Sequence, residues 1–130
     1  MSEENLEVVR RLFDEWGRGD YSRTDWADPD IEFVSPDLLS GIKRGIDEMA
    51  SGWREYLSTW DDFEVVGTKF MDVDDKVLVL NEFGGRGKQS GVPIEGMRGA
   101  TLFTFENGRV VRLAVFGNEQ KAFDAAGLSE

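Results

Sequence analysis

The chain has 130 residues, 26 acidic and 15 basic side chains and a formal net charge of −11, which is one domain's worth of sequence and enough to bury a core without covalent staples. It contains no cysteine and no histidine, so disulfides, thiolate chemistry and thiolate metal sites are excluded, and proton transfer is left to carboxylates, Tyr, Lys or bound water. The negative charge opposes phosphate backbones, no stretch nears the roughly 20 apolar residues of a membrane span, and no secretion signal opens the chain; neither nucleic acid nor membrane is an expected partner, no cofactor is implied, and the expected location is cytoplasmic.

Ser2 can cap a helix whose first turn carries Glu3 and Glu4, the favourable sign for that end of the dipole. Leu6, Val9, Leu12, Phe13 and Trp16 recur at helical spacing, and Gly17 and Gly19 end the run. An Asp-rich stretch from Asp20 to Pro36 holds one alternating run, Ile31 to Ser35, which reads as a brief strand; its flanking prolines suit an edge. A second amphipathic helix is predicted from Gly45 to Trp60, with Met49, Trp53, Tyr56 and Trp60 on one side and Gly52 inside at a cost of about 1 kcal/mol relative to alanine.

After Asp61 and Asp62 the apolar period changes to two. Strands are predicted at Phe63 to Val73 and Lys76 to Arg86, joined at Asp74-Asp75. Glycines 84, 85, 87 and 91 mark a bulge or bend at the end of the second strand. Met97 to Phe105 and Arg109 to Phe116 flank Asn107-Gly108, the strongest hairpin signal in the chain. Apolar residues occupy both registers of these two strands, so both faces should be covered. Asn118 can cap a closing helix packed through Ala122, Phe123 and Ala126 and stopped by Gly127. Helices ahead of meandering strands imply an α+β domain, with helices on one face of a curved sheet and room for a small molecule in the cone.

The succession Glu4 to Phe13, Gly19-Asp20, Asp28 to Phe33, Gly41 to Gly45, Asn107 to Leu113 and Ala125 to Leu128 resembles the SnoaL-like branch of the nuclear transport factor 2-like proteins across nearly the whole chain. The resemblance implies a cystatin-like/NTF2-like cone, a curved mixed or antiparallel sheet with helices packed on its concave face, a pocket at the open end for a hydrophobic small molecule, and a homodimer through the sheet. It does not fix a function, because the superfamily holds cyclases, isomerases, epoxide hydrolases, dehydratases and binding domains. Many SnoaL-like sequences place a histidine and an aspartate where this chain has Thr101 and Asn118, and Asn cannot serve as a carboxylate base. Arg98-Gly99-Ala100 offers the arginine of the epoxide hydrolases without its acidic neighbour.

Thr101 with Phe103, and Phe116 with Asn118, share faces by alternation and could surround a ligand, the polar pair orienting a carbonyl or hydroxyl; equally, Asn118 is a cap, Thr101 an ordinary strand residue and the rings core. Trp16, Trp53, Tyr56 and Trp60 could line a pocket for a flat ligand or be plain core. Glu82, within Val77 to Phe83, would be a raised-pKa acid or base if buried, while exposure or pairing with Arg98 or Arg112 is the competing outcome; Asn81 takes its place if the register is one residue off. Glu82 and Tyr56 are the catalytic candidates. A phosphate loop at Gly84 to Lys88 and a calcium loop at Asp72 to Asp75 both fail on spacing. The leading expectation is a small-molecule pocket protein, with isomerase-, cyclase- or dehydratase-type proton transfer if catalytic; the competing one is an accessory or dimerisation domain with a filled cone.

Overall fold

The structure, a computed structural model, describes residues 2–20, 22–34, 42–58, 60–87, 91, 93–117 and 119–127, without the side chains of Ser2, Tyr56, Asp62, residues 93–97, Lys121 and Ala126. Its elements in order are α1 (Ser2–Gly17), β1 (Ala27–Val34), β2 (Ile42–Arg44), α2 (Ile46–Leu57), β3 (Trp60–Val73), β4 (Lys76–Gly87), β5 (Pro93–Glu106), β6 (Arg109–Phe116) and α3 (Glu119–Ala126). The six strands form one sheet in the order β2-β1-β6-β5-β4-β3, antiparallel throughout except that β1 runs parallel to β6. Helices before a meander therefore give the α+β half-barrel expected.

Local chemistry accounts for the boundaries. Positive φ at Gly19 (82°) follows α1, and Gly45 (87°) precedes α2. Glu48 accepts from the Arg44 amide at 3.2 Å, tying the first turn of α2 to β2. The two long hairpins turn at Asp74 (φ 57°) and at Asn107-Gly108 (53° and 79°), the left-handed positions that Asn, Asp and Gly tolerate.

The structure departs from the sequence reading at β1 and at the α2–β3 junction. β1 starts earlier and is not an edge: the short strand β2 pairs beyond it. Pro29 is accommodated because the β1–β6 ladder shifts register between Ala27 and Glu32, so its missing N–H falls in the irregular stretch. Trp60, assigned to the second helix, begins β3 and pairs with Gly87.

Strand alternation sorts the sheet into two faces. The rung Phe33, Leu113, Phe103 and Val77 faces α1 and α2, joining Val9, Leu12, Phe13, Trp16 and Met49 in the main core. The next rung, Val34, Ala114, Leu102 and Leu78, faces the other way, and there α3 packs through Ala122 and Phe123. Both faces are thus covered, as the mixed registers required, but the closing helix lies on the convex side. Bulges between Asp61 and Glu64, Gly67 and Lys69, and Phe83 and Gly85 supply the curvature.

Candidate functional site

Along β4 the concave positions are Val77, Val79, Asn81 and Phe83, and only Asn81 is polar. Asn81 lies opposite Gly99, and the next concave rung pairs Val79 with Thr101 and Thr101 with Val115. Asn81 and Thr101 are 6% and 4% exposed. Thr101 Oγ1 donates to Asn81 Oδ1 at 3.1 Å. A buried polar group without a partner costs about 1–3 kcal/mol, so this bond is what lets two polar side chains lie in an apolar wall. Because the Thr101 proton is used, the amide Nδ2–H donors of Asn81 and the oxygen lone pairs of Thr101 are the groups a ligand can engage. Such a pair can grip a carbonyl or hydroxyl. It cannot remove a carbon-bound proton.

Rings pack on the same side of the sheet. Phe83 lies 6.2 Å from Phe63, which lies 5.7 Å from Trp60. Trp53 stacks on Phe33 at 5.4 Å. Deeper in, Trp16 stacks on Phe103 at 6.2 Å and meets Phe13 at 5.2 Å and Trp26 edge-on at 6.2 Å. Phe103 is fully buried and Trp16 nearly so. These two are core; Trp53 and Trp60, half-buried, are the indoles left with surface.

The remaining candidates separate. Phe116 pairs with Ala100 and packs under α3, so the expectation that it shares a pocket with Thr101 is corrected: neighbouring strands place partners on one face, and Thr101 is partnered by Val115. Glu82 is exposed on the convex face opposite Arg98, because alternation that turns Asn81 inward turns Glu82 outward. The buried position that a catalytic role required of it is not met. Asn118 and the Tyr56 side chain lie outside the described residues. Among the described residues no group of three or more His, Cys, Asp or Glu could hold a metal ion, and no helix is long and apolar enough to cross a membrane.

Trp16 and Trp53 also meet around a cavity of about 80 Å³ between the end of α1, the turn before β1 and α2, with Arg23, Trp26, Met49 and Arg54 among its lining. Sequence reasoning named Trp16 and Trp53 as pocket-lining but missed the rest of this enclosure. Met49, Trp53 and Leu57 share a helical face, but Arg23 and Trp26 sit in an Asp-rich stretch without periodicity. That stretch is ordered by an Asx turn in which Asp20 Oδ1 accepts from the Ser22 amide at 3.1 Å and its hydroxyl at 2.7 Å. The Ser22 hydroxyl first, then its amide, hold the Asp20 carboxyl below the ordinary value of 3.8.

No curated protein matches the sequence. Solved structures do. The chain is similar to a protein from Jannaschia sp. CCS1 named as a SnoaL-like polyketide cyclase, with 25% identity, TM-score 0.78 and coverage of 88% of this chain and 85% of that one. An NTF2-like protein of unknown function from Burkholderia pseudomallei superposes with TM-score 0.77 at 21% identity, covering 93% and 95%. TerC, co-crystallised with polyporic acid, gives TM-score 0.76 at 17% identity, covering 95% and 97%. The last two carry the fold alone. Residues 9–113 match the SnoaL-like domain, and the chain belongs to that family.

Proposed function

We propose that the protein binds an apolar, ring-bearing small molecule on the concave face of the sheet, its carbonyl or hydroxyl held by Asn81 and Thr101. The observation that carries this reading is the buried Thr101–Asn81 hydrogen bond, two neutral polar side chains in an otherwise apolar wall. Trp53 and Trp60 then contribute the ring surfaces. The SnoaL-like cyclase name of one relative and the polyporic acid bound to another point to the same ligand class. Turnover, where it occurs, is an isomerisation, cyclisation or dehydration in which the amide and hydroxyl orient the substrate and Tyr56, from its place on α2 three residues after Trp53, carries the proton. The packed rings of Trp16, Trp26 and Phe103 favour a second reading, an accessory domain whose cone is filled. In either case we infer a homodimer through the convex face.

Tryptophan fluorescence titrated with steroid-like and polyketide-like ligands tests the first reading. A saturable change, weakened about tenfold in Asn81→Ala through loss of one hydrogen-bonding group, is the expected result. Silence across the panel, or binding indifferent to Asn81, favours the accessory domain.

A further inference from the structure

The cavity between α1 and α2 differs from the concave site in its chemistry. Neither Asn81 nor Thr101 lines it; its walls are the indoles of Trp16, Trp26 and Trp53 with Met49, and among the described residues its only charged lining is Arg23 and Arg54. In a chain of net charge −11, the described lining of this apolar recess carries two arginines and no acid, and of the two only Arg23 has acids paired with it.

The two arginines are differently placed. Arg23 reaches Glu15 Oε2 at 3.3 Å and Asp25 Oδ1 at 3.2 Å, and those acids hold it in position. Its Nε is nonetheless buried with no hydrogen-bond acceptor, because the approach to Asp25 is close but poorly aligned. Arg54 is exposed, and among the described residues its guanidinium makes no ion pair. It stands one residue after Trp53 and four after Ala50, both of which line the cavity, so α2 delivers ring and cation to the same opening. The Trp26 indole N–H is already donated to the Arg23 carbonyl at 2.8 Å, which fixes the turn that carries Arg23.

We propose that this cavity is a binding site for a short-chain carboxylate, its alkyl tail among the indoles and its carboxylate at Arg54 and Arg23. Size sets the class: a volume of about 80 Å³ is several times the roughly 10–15 Å³ that one water needs, room for a short alkyl tail. Charge sets the sign. An alkylammonium of the same length would meet the Arg54 guanidinium, which no acid among the described residues offsets, whereas a carboxylate gains charge-assisted hydrogen bonds from Arg54 and from the unpartnered Arg23 Nε. The site shares the Trp53 ring with the concave-face site but does not require that site's ligand.

The test uses the full chain and butyrate, with n-butylammonium and butanol as isosteric controls, read by tryptophan fluorescence and indole N–H chemical shifts. Saturable binding of butyrate in about the millimolar range, as befits a ligand of so few atoms, is expected, with neither control competing. Arg54→Gln, at an exposed position that leaves the fold intact, should weaken butyrate about tenfold. Ala50→Leu should fill the recess and abolish binding while the thermal midpoint holds or rises, and Asn81→Ala should leave butyrate binding unchanged. Equal binding of butylammonium, no saturable response, or indifference to both Arg54→Gln and Ala50→Leu overturns the site.

Discussion

Thr101 is 4% exposed and its hydroxyl has a single protein partner among the described residues, the Asn81 side chain. Thr101→Val keeps the shape and strands a buried carbonyl oxygen, so it should cost about 1–3 kcal/mol in denaturant unfolding. Adding Asn81→Leu removes the orphaned group, and the double variant should recover part of that loss. Additive single and double effects would show that the two side chains do not interact. Asp20 supplies a second test. Its folded pKa lies below the ordinary 3.8, so the stabilisation it brings is present above that value and is lost as pH falls through the depressed pKa. Carboxyl carbon chemical shifts should report titration below 3.8, and Ser22→Ala should return the midpoint towards it; an unchanged midpoint in Ser22→Ala would remove the hydroxyl as the cause.

Where β4, β5 and β6 converge, backbone approach matters more than side-chain choice. A Cβ at Gly99 would stand 2.5 Å from the Phe116 carbonyl oxygen and 3.3 Å from the Phe83 ring. Gly99→Ala must therefore push the end of β6 away from β5, next to Asn81, at a cost of about 1–3 kcal/mol. Hydrogen exchange should show the loss concentrated at residues 97–101 and 113–117 rather than spread over the sheet; wild-type stability and protection would mean that the strands give way freely. The glycine of α2 is under no such constraint. Gly52 is buried over Phe33 and Lys43, and a Cβ added there would stand 3.4 to 3.6 Å from those side chains, which is ordinary contact. An alanine would fit there, so packing does not account for the glycine.

For the molecule as a whole, the convex face is where the proposed homodimer would form. Ile42 is 49% exposed there, and Val34, Met71 and Leu80 are half-buried beside the cluster that α3 covers in part. With the homodimer inferred above, Leu80→Arg should convert the dimer to a folded monomer in sedimentation equilibrium, because an unpaired guanidinium in an apolar interface is expensive to desolvate. A monomeric wild type, or an unperturbed Leu80→Arg dimer, places the interface elsewhere or nowhere.

The α+β class, both main helices, the four-strand meander and its two turns were legible in the chain because each rests on local signals: period 3.6 giving way to period 2, glycine after α1 and Asn107-Gly108 between β5 and β6. What tertiary structure alone decided is which side each strand residue faces and what it meets there. Asn81 and Glu82 are adjacent in sequence, and a single step of register exchanges a buried partner of Thr101 for an exposed carboxylate. Phe116 resembled a pocket residue until its pairing with Ala100 sent it under α3. The parallel β1–β6 contact joins strands 80 positions apart, as in the Arg112 to Glu32 bond, and it brings Arg23 and Trp26 against α2. Local preferences carry no information about such distant pairings, because their energy exists only once the sheet has closed.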